Sequence, residues 1–168
     1  QLYQAQGKFT EAKPLFLRAL KISEEHLGAK HRHTADKLNN LALLYQTQGE
    51  YEEAEPLFLR ALRISQENLG ADHRNTGTFL NNLADLYQSQ GKYEEAEKLF
   101  LRALKISEKQ LGVQHRDTGK ILTNLAHLYR IQWEFEEAVP LYERALKISM
   151  EQHGADHPST GTLMNHVA

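Results

Sequence analysis

The sequence repeats itself at an interval of 42 residues, and this periodicity constrains the fold more than any other feature. Residues 49–90 and 91–132 are identical at 27 of 42 positions, and the 168 residues amount to four full periods. The recurring alanines are Ala12, Ala54, Ala96 and Ala138, followed by Ala19, Ala61, Ala103 and Ala145. Such a chain is expected to fold as one small unit copied along its length.

Each period predicts two helices. Apolar residues recur at helical spacing over roughly residues 74–90 and again over roughly residues 93–111. Gly91 and Gly112 follow these two segments and suit the positive-φ backbone that closes a helix. No stretch favours a strand, so the predicted fold is all-α, an array of antiparallel helical hairpins.

A helical hairpin with one apolar face cannot bury that face alone, so successive hairpins must stack. We therefore predict a single repeat domain over residues 1–168. Its segments are a partial first helix at 1–6, a second helix at 8–28, hairpins at 32–70, 74–112 and 116–154, and a partial first helix at 158–168. One position of the first helix is always small, which predicts close approach by a neighbouring helix; its residues are Ala35, Gly77, Gly119 and Gly161.

Composition narrows the classes of function. The 22 acidic and 20 basic residues give a net charge of −2, which argues against a nucleic-acid-binding surface. The chain has no cysteine for a disulfide or thiolate site, and no apolar run long enough to span a membrane. It carries no phosphate-binding loop, dinucleotide-binding motif or nucleophile elbow. We expect a non-enzymatic cytoplasmic protein without a cofactor.

A histidine recurs before every first helix, at His31, His73, His115 and His157. Equivalent residues of successive hairpins should lie about 8–10 Å apart. Zinc ligands lie about 2.0–2.1 Å from the ion, so the repeat itself cannot bring two of these histidines to one metal. In "HPST", Pro158 suits the first helical position and places His157 at or near the cap. The pattern favours helix caps over metal ligands.

The segment "NNLALLYQTQGEYEEAEPLFLRAL" (39–62) resembles the tetratricopeptide repeat (TPR). Its matching residues are Asn40, Leu41, Ala42, Tyr45, Gly49, Tyr51, Ala54, Phe58 and Ala61. The 42-residue period and the "LG…H(R/P)xT" segment between hairpins look like the kinesin light chain subtype. The resemblance implies a right-handed superhelical solenoid whose first helices line a concave groove for a protein or peptide ligand.

Polar residues of the first helices are the candidate groove. They are Asn39, Asn40, Asn81, Asn82, Asp85, Lys120, Asn124, His127 and Arg130. Asn40, Asn82 and Asn124 occupy one level, and the amide of asparagine can both donate to and accept from a peptide backbone. In TPR proteins this asparagine commonly does so, as the resemblance implies. Alternatively, these asparagines bridge adjacent hairpins and hold the stack together.

Positive charge in this groove comes only from Lys120, Arg130 and His127, so the groove is expected to be polar and nearly neutral. Our leading interpretation is a non-catalytic scaffold that binds a peptide segment. Two alternatives remain: a structural array that associates with itself, or a sensor or scaffold segment of a larger multidomain protein.

Two further expectations concern apolar residues. Trp133 stands where the other copies have glycine, so its turn should differ or be strained. We favour a ring that packs on a neighbouring hairpin over an exposed binding hot spot.

Near the ends of the sequence, four residues occupy positions that are core positions in the interior copies, which predicts possible head-to-tail association; they are Leu2, Tyr3, Met164 and Val167.

Overall fold

The computed structural model of the chain describes residues 9–167. The helices in this range are α1 (Phe9–Leu27), α2 (Arg32–Thr47), α3 (Tyr51–Leu69), α4 (Arg74–Ser89), α5 (Tyr93–Leu111), α6 (Arg116–Ile131), α7 (Phe135–His153) and α8 (Pro158–Val167). Residues 9–167 contain no strand, and none of their helices is both long and apolar enough to cross a membrane. The all-α prediction is confirmed.

The helix ends follow the glycine pattern of the sequence. The second helix predicted at 93–111 coincides with α5, and the first helix predicted at 74–90 ends at Ser89. Gly91 and Gly112 have φ of 75° and 100°, a region that residues with a Cβ rarely occupy. The partial helix predicted at 1–6 lies outside the described residues.

The chain divides into two compact units, residues 1–86 and 87–168. In the first unit, α2 packs against both α1 and α3. Leu38, Leu41 and Leu44 of α2 point into this core, together with Phe58 and Ala61 of α3, and each is at most 1% exposed. The 3.6-residue period of the apolar side chains is thus the direct cause of the hairpin packing.

The second unit repeats the same construction. Helix α6 packs against α5 and α7, and α8 packs against α7. Leu122, Leu125 and Leu128 of α6 are buried with Phe100 of α5 and Tyr142 of α7. That the domain is single stays a prediction.

A close helix approach occurs at one of the small positions. A Cβ added to Gly119 would lie 3.2 Å from Ile148 Cγ2, which is tighter than ordinary van der Waals contact. This confirms the predicted close approach for α6. A Cβ on Gly161 would meet no atom within 4 Å, so the described residues show no such approach at α8.

Each connection from a second helix to the next first helix is held by a buried pair of hydroxyls. The Thr76 hydroxyl donates to the Gly70 carbonyl oxygen at 2.9 Å, so the Ser65 hydroxyl, 2.8 Å away, donates to Thr76. The same arrangement recurs, with hydroxyl separations of 2.8 to 3.0 Å, at Ser23–Thr34, Ser107–Thr118 and Ser149–Thr160. All four threonines are fully buried, and their hydroxyls are satisfied as burial requires.

Candidate functional site

The four repeated histidines cap the first helices. Nδ1 of His73 accepts a hydrogen bond from the Asn75 N–H at 3.1 Å, and Nδ1 of His115 accepts one from the Asp117 N–H at 3.1 Å. His31 and His157 make the same bond at 3.2 Å. The predicted capping role is confirmed. Within residues 9–167, no three histidine, aspartate or glutamate side chains are grouped to hold a metal ion.

On the first-helix face of the first unit, side-chain amides join α2 to α4. Asn82 Nδ2 donates to Asn39 Oδ1 at 2.9 Å, and Gln46 Nε2 donates to Asp85 Oδ2 at 2.7 Å. Asn81 Nδ2 donates to the neighbouring Asn82 Oδ1 at 3.4 Å. The structure thus brings Asn39, Asn81 and Asn82 together. Asn39 is only 6% exposed, which leaves it little surface for a ligand.

Asn40 differs from these asparagines. Its side chain is half-buried, and among the described residues none hydrogen-bonds to it. The bridging interpretation therefore describes the Asn39–Asn82 pair and not Asn40.

On the first-helix face of the second unit, α6 carries Lys120, Asn124, His127 and Arg130. Lys120 and Arg130 are exposed, and Asn124 and His127 are half-buried. Gln88 Nε2 lies 2.9 Å from His127 Nδ1, in the register that Gln46 and Asp85 occupy 42 residues earlier. The repeat thus preserves an interhelical contact while it replaces a carboxylate by an imidazole.

Asp117 partly balances the positive charge at the start of α6. Lys120 Nζ donates to Asp117 Oδ1 at 3.1 Å, and Arg116 Nε lies 3.7 Å from the same oxygen. Partial burial of the Asp117 carboxyl favours its protonated form. The Lys120 hydrogen bond and the neighbouring positive charges outweigh that effect and lower the pKa of Asp117.

A cavity of about 260 Å³ lies between α6, α7 and α8. Its apolar lining comes from Gly119, Ala145, Ile148 and Leu163, and its basic lining from Arg116, Lys120, His153 and His157. The rings of His153 and His157 stack with centroids 4.7 Å apart. Of the predicted site residues, only Lys120 lines this cavity. The sequence contains one sign of this cavity that the sequence analysis missed, which is His153. The equivalent residues of two other copies, Leu69 and Leu111, are apolar.

Trp133 corrects one expectation. Its φ of 66° is close to the 76° of Gly49 and the 75° of Gly91, so the turn keeps the glycine conformation. The ring is 79% exposed and meets Phe135 of its own hairpin edge-on, with centroids 5.9 Å apart. The expectation that it packs on a neighbouring hairpin is wrong. Because the turn has the same geometry as in the copies with glycine, Trp133 adopts a left-handed backbone conformation that is strained for a residue with a Cβ.

The predicted head-to-tail surface is described in part. Leu2 and Tyr3 lie outside the described residues. At the other end of the sequence, Met164 is 39% exposed, and Val167 is half-buried.

Comparisons with known proteins agree with this architecture. Models of the tetratricopeptide repeat match residues 1–33, 33–109, 75–147 and 117–168. No curated protein matches the chain. Among solved structures, BtubC (BKLC) from P. vanneervenii is 27% identical with a TM-score of 0.85, over 99% of this chain and 66% of that one.

A putative kinesin light chain of Podosopora anserina with nearly identical TPR-like repeats is also similar. It is 27% identical with a TM-score of 0.80, over 98% of this chain and 78% of that one. A variant of the same protein is 25% identical with a TM-score of 0.81, over the same shares of the two chains. The family models cover the chain from end to end, so it belongs to the tetratricopeptide repeat family, in a form like that of the kinesin light chains.

Proposed function

We propose that this chain binds a peptide segment on the face of its first helices and performs no chemistry on it. The TPR fold implies a protein–protein interaction scaffold, and members of the family are generally non-catalytic. Membership of the family does not specify the peptide, its position on this face or the residues that contact it. These are the parts that we propose.

The cavity of the second unit is the observation that carries the proposal. Small-molecule pockets typically enclose about 300–1,000 Å³. At about 260 Å³, this cavity suits one large side chain better than a whole small molecule. Ile148 and Leu163 would contact an apolar anchor, and the exposed Lys120 and Arg116 would attract a carboxylate beside it. The favoured ligand is therefore a peptide with an apolar residue next to an acidic one.

Polar groups on the first helices of each unit support recognition of the peptide backbone. We assign this role to Asn40, Asn81, Asn82 and Asp85 in the first unit and to Asn124, His127 and Arg130 in the second. Asn39 acts through Asn82, whose amide it orients by accepting its hydrogen bond at 2.9 Å. Amides of this kind contact a backbone whatever the peptide sequence, so they contribute affinity rather than selectivity.

A display library of random 12-residue peptides, selected on the immobilised protein, tests the proposal. An enriched peptide should carry an apolar residue beside Asp or Glu. Leu163→Phe introduces the residue that Phe79 supplies in an earlier copy, fills part of the cavity and should weaken binding at least tenfold. Lys120→Glu should weaken it similarly, because the reversed charge repels the ligand carboxylate.

Lys105→Glu is the matched control. Lys105 is exposed on α5 and does not line the cavity, so the same change of charge there should leave affinity unchanged. Enrichment of no peptide would contradict the proposal. Equal binding by the Leu163→Phe variant would also contradict it.

One observation favours self-association as a second candidate. Met164 is 39% exposed, whereas its equivalents Leu80 and Leu122 are fully buried. Removing such a side chain from water contributes at most about 1.5–3 kcal/mol to the free energy of association. Sedimentation equilibrium of the wild type and of Met164→Glu checks this candidate. A monomer at all concentrations in both proteins would reject it.

A further inference from the structure

A cluster of exposed apolar side chains surrounds the turn between α6 and α7. Trp133, Phe135 and Val139, which we call the turn patch, are 79%, 50% and 39% exposed. Trp133 and Phe135 touch edge-to-face, so the two rings present one continuous surface. None of these residues lines the cavity between α6, α7 and α8.

The other copies show that the fold does not need the turn patch. The positions of Trp133, Phe135 and Val139 are Gly49, Tyr51 and Glu55 in one copy, Gly91, Tyr93 and Glu97 in the next, and Gly7, Phe9 and Lys13 in the first. Phenylalanine thus recurs once at the position of Phe135, whereas Trp133 and Val139 replace a glycine and a charged residue of every other copy. Trp133 also keeps a φ of 66°, a conformation that favours glycine. Two apolar replacements at one exposed place, beside the ring of Phe135, indicate a contact surface, since burial inside the unit does not explain them.

The surroundings of the turn patch are acidic. Glu134, Glu136 and Glu137 are exposed beside it. Residues 131–143 contain four glutamates and no lysine or arginine, as do the equivalent residues 47–59, whereas residues 89–101 contain Lys92 and Lys98. Arg130 and Arg144 flank the segment, and Arg144 pairs with Glu108 at 2.6 Å. The patch therefore combines apolar rings with a negative rim.

The negative charge of the glutamates also affects the pKa of Tyr129, which lies near the end of α6. Burial raises its pKa, and so do the hydrogen bond from its hydroxyl to Glu97 at 2.7 Å and the negative charges of Glu134 and Glu137. The glutamates thus disfavour a further negative charge near the turn and favour a positive one.

We propose that the turn patch docks a basic segment of a partner protein, in which lysines or arginines flank an apolar anchor. The anchor packs on Trp133 and Phe135, and the basic side chains pair with Glu136 and Glu137. A cation next to Trp133 also gains from the face of the indole ring. Exposed tryptophans are among the residues on which binding energy concentrates.

Trp133 is the single tryptophan of the chain and is therefore a direct reporter. The probe is a 12-residue peptide with two leucines between flanking lysines, and its control has glutamate at each lysine position. The lysine peptide should shift the tryptophan emission to shorter wavelength in a saturable manner. Affinity should fall as salt is added, because the ion pairs are screened. The glutamate peptide should cause no shift.

Variants of the intact chain separate docking from folding. Trp133→Gly, read with a dye-labelled lysine peptide, should lose at least tenfold in affinity while the thermal midpoint does not fall. Glu136→Gln with Glu137→Gln should weaken binding at least threefold. The matched control is Glu52→Gln with Glu53→Gln, which removes two exposed charges at the equivalent positions of α3, where Gly49 replaces the tryptophan. This control should bind like the wild type.

Three results would overturn the proposal. One is equal binding of the lysine and glutamate peptides. The second is unchanged binding by Trp133→Gly, or a loss in the Glu52/Glu53 control as large as in the Glu136/Glu137 variant. The third is self-association of the chain without peptide that Trp133→Gly abolishes, because the occupant would then be a second copy.

Discussion

The first-helix faces of the two units share one backbone repeat and use their polar side chains differently. In the first unit, Asn82 and Gln46 direct their amide donors to Asn39 and Asp85, so the face is largely bonded to itself. In the second unit, a cavity of about 260 Å³ lies beside Lys120, between α6, α7 and α8. The difference shows that a repeat can preserve its core while a few positions change how its polar groups are bonded and where space remains.

The largest expected effects test whether the cores are equivalent. Phe58 in the first unit and Phe100 in the second are both fully buried at the same repeat position. Phe58→Ala and Phe100→Ala should each lower the free energy of unfolding by about 3–5 kcal/mol. Urea denaturation measures both. Losses that differ by more than about 2 kcal/mol would show that the units do not share one packing scheme.

A smaller effect should distinguish the two faces directly. Asn82→Ala leaves the buried Asn39 oxygen without its donor, so unfolding should become easier by about 1–3 kcal/mol. Lys120→Glu changes an exposed position and should alter stability by less than about 0.5 kcal/mol, beyond the lost contact with Asp117. Equal destabilisation by both variants would show that the Asn82–Asn39 hydrogen bond contributes no more to stability than the exposed contact of Lys120.

The histidine caps should behave alike in both units. His73→Ala and His115→Ala each remove an acceptor for a helix N-terminal N–H, at an expected cost of about 0.5–2 kcal/mol. His73→Asn and His115→Asn keep an acceptor and should recover most of the loss. If asparagine does not rescue either variant, the histidines stabilise the turn by some means other than capping.

The smallest effect concerns Asp117, whose equivalent in the first unit is Asn75. The lowered pKa of Asp117 means that its charged form stabilises the folded state. This contribution to stability is present above the pKa that Asp117 has in the unfolded chain, and it is lost as pH falls through the pKa of Asp117 in the folded state. Asp117→Asn should therefore be slightly less stable than the wild type at pH 7 and equally stable at about pH 2. A difference that persists at low pH would exclude the ion pairs as its cause.

Part of the candidate site could be predicted and part could not. The capping histidines were predictable because a residue directly before a helix has few other roles. The Asn39–Asn82 bond joins residues 43 positions apart, and the sequence could not choose between it and a ligand contact. The cavity was missed because it depends on how α6, α7 and α8 pack together, although His153 in place of a leucine was a visible sign.

The hairpins, their period, their helix-closing glycines and the family could all be predicted, because they follow from local spacing and copied motifs. The packed structure was needed to show which polar groups satisfy one another, that Trp133 stays exposed in a glycine conformation, and where space remains between helices. These two sets of features depend on interactions of different range along the chain. Helix formation and capping depend on residues within a few positions, whereas exposure, cavities and interhelical hydrogen bonds depend on side chains that meet only after the helices have packed.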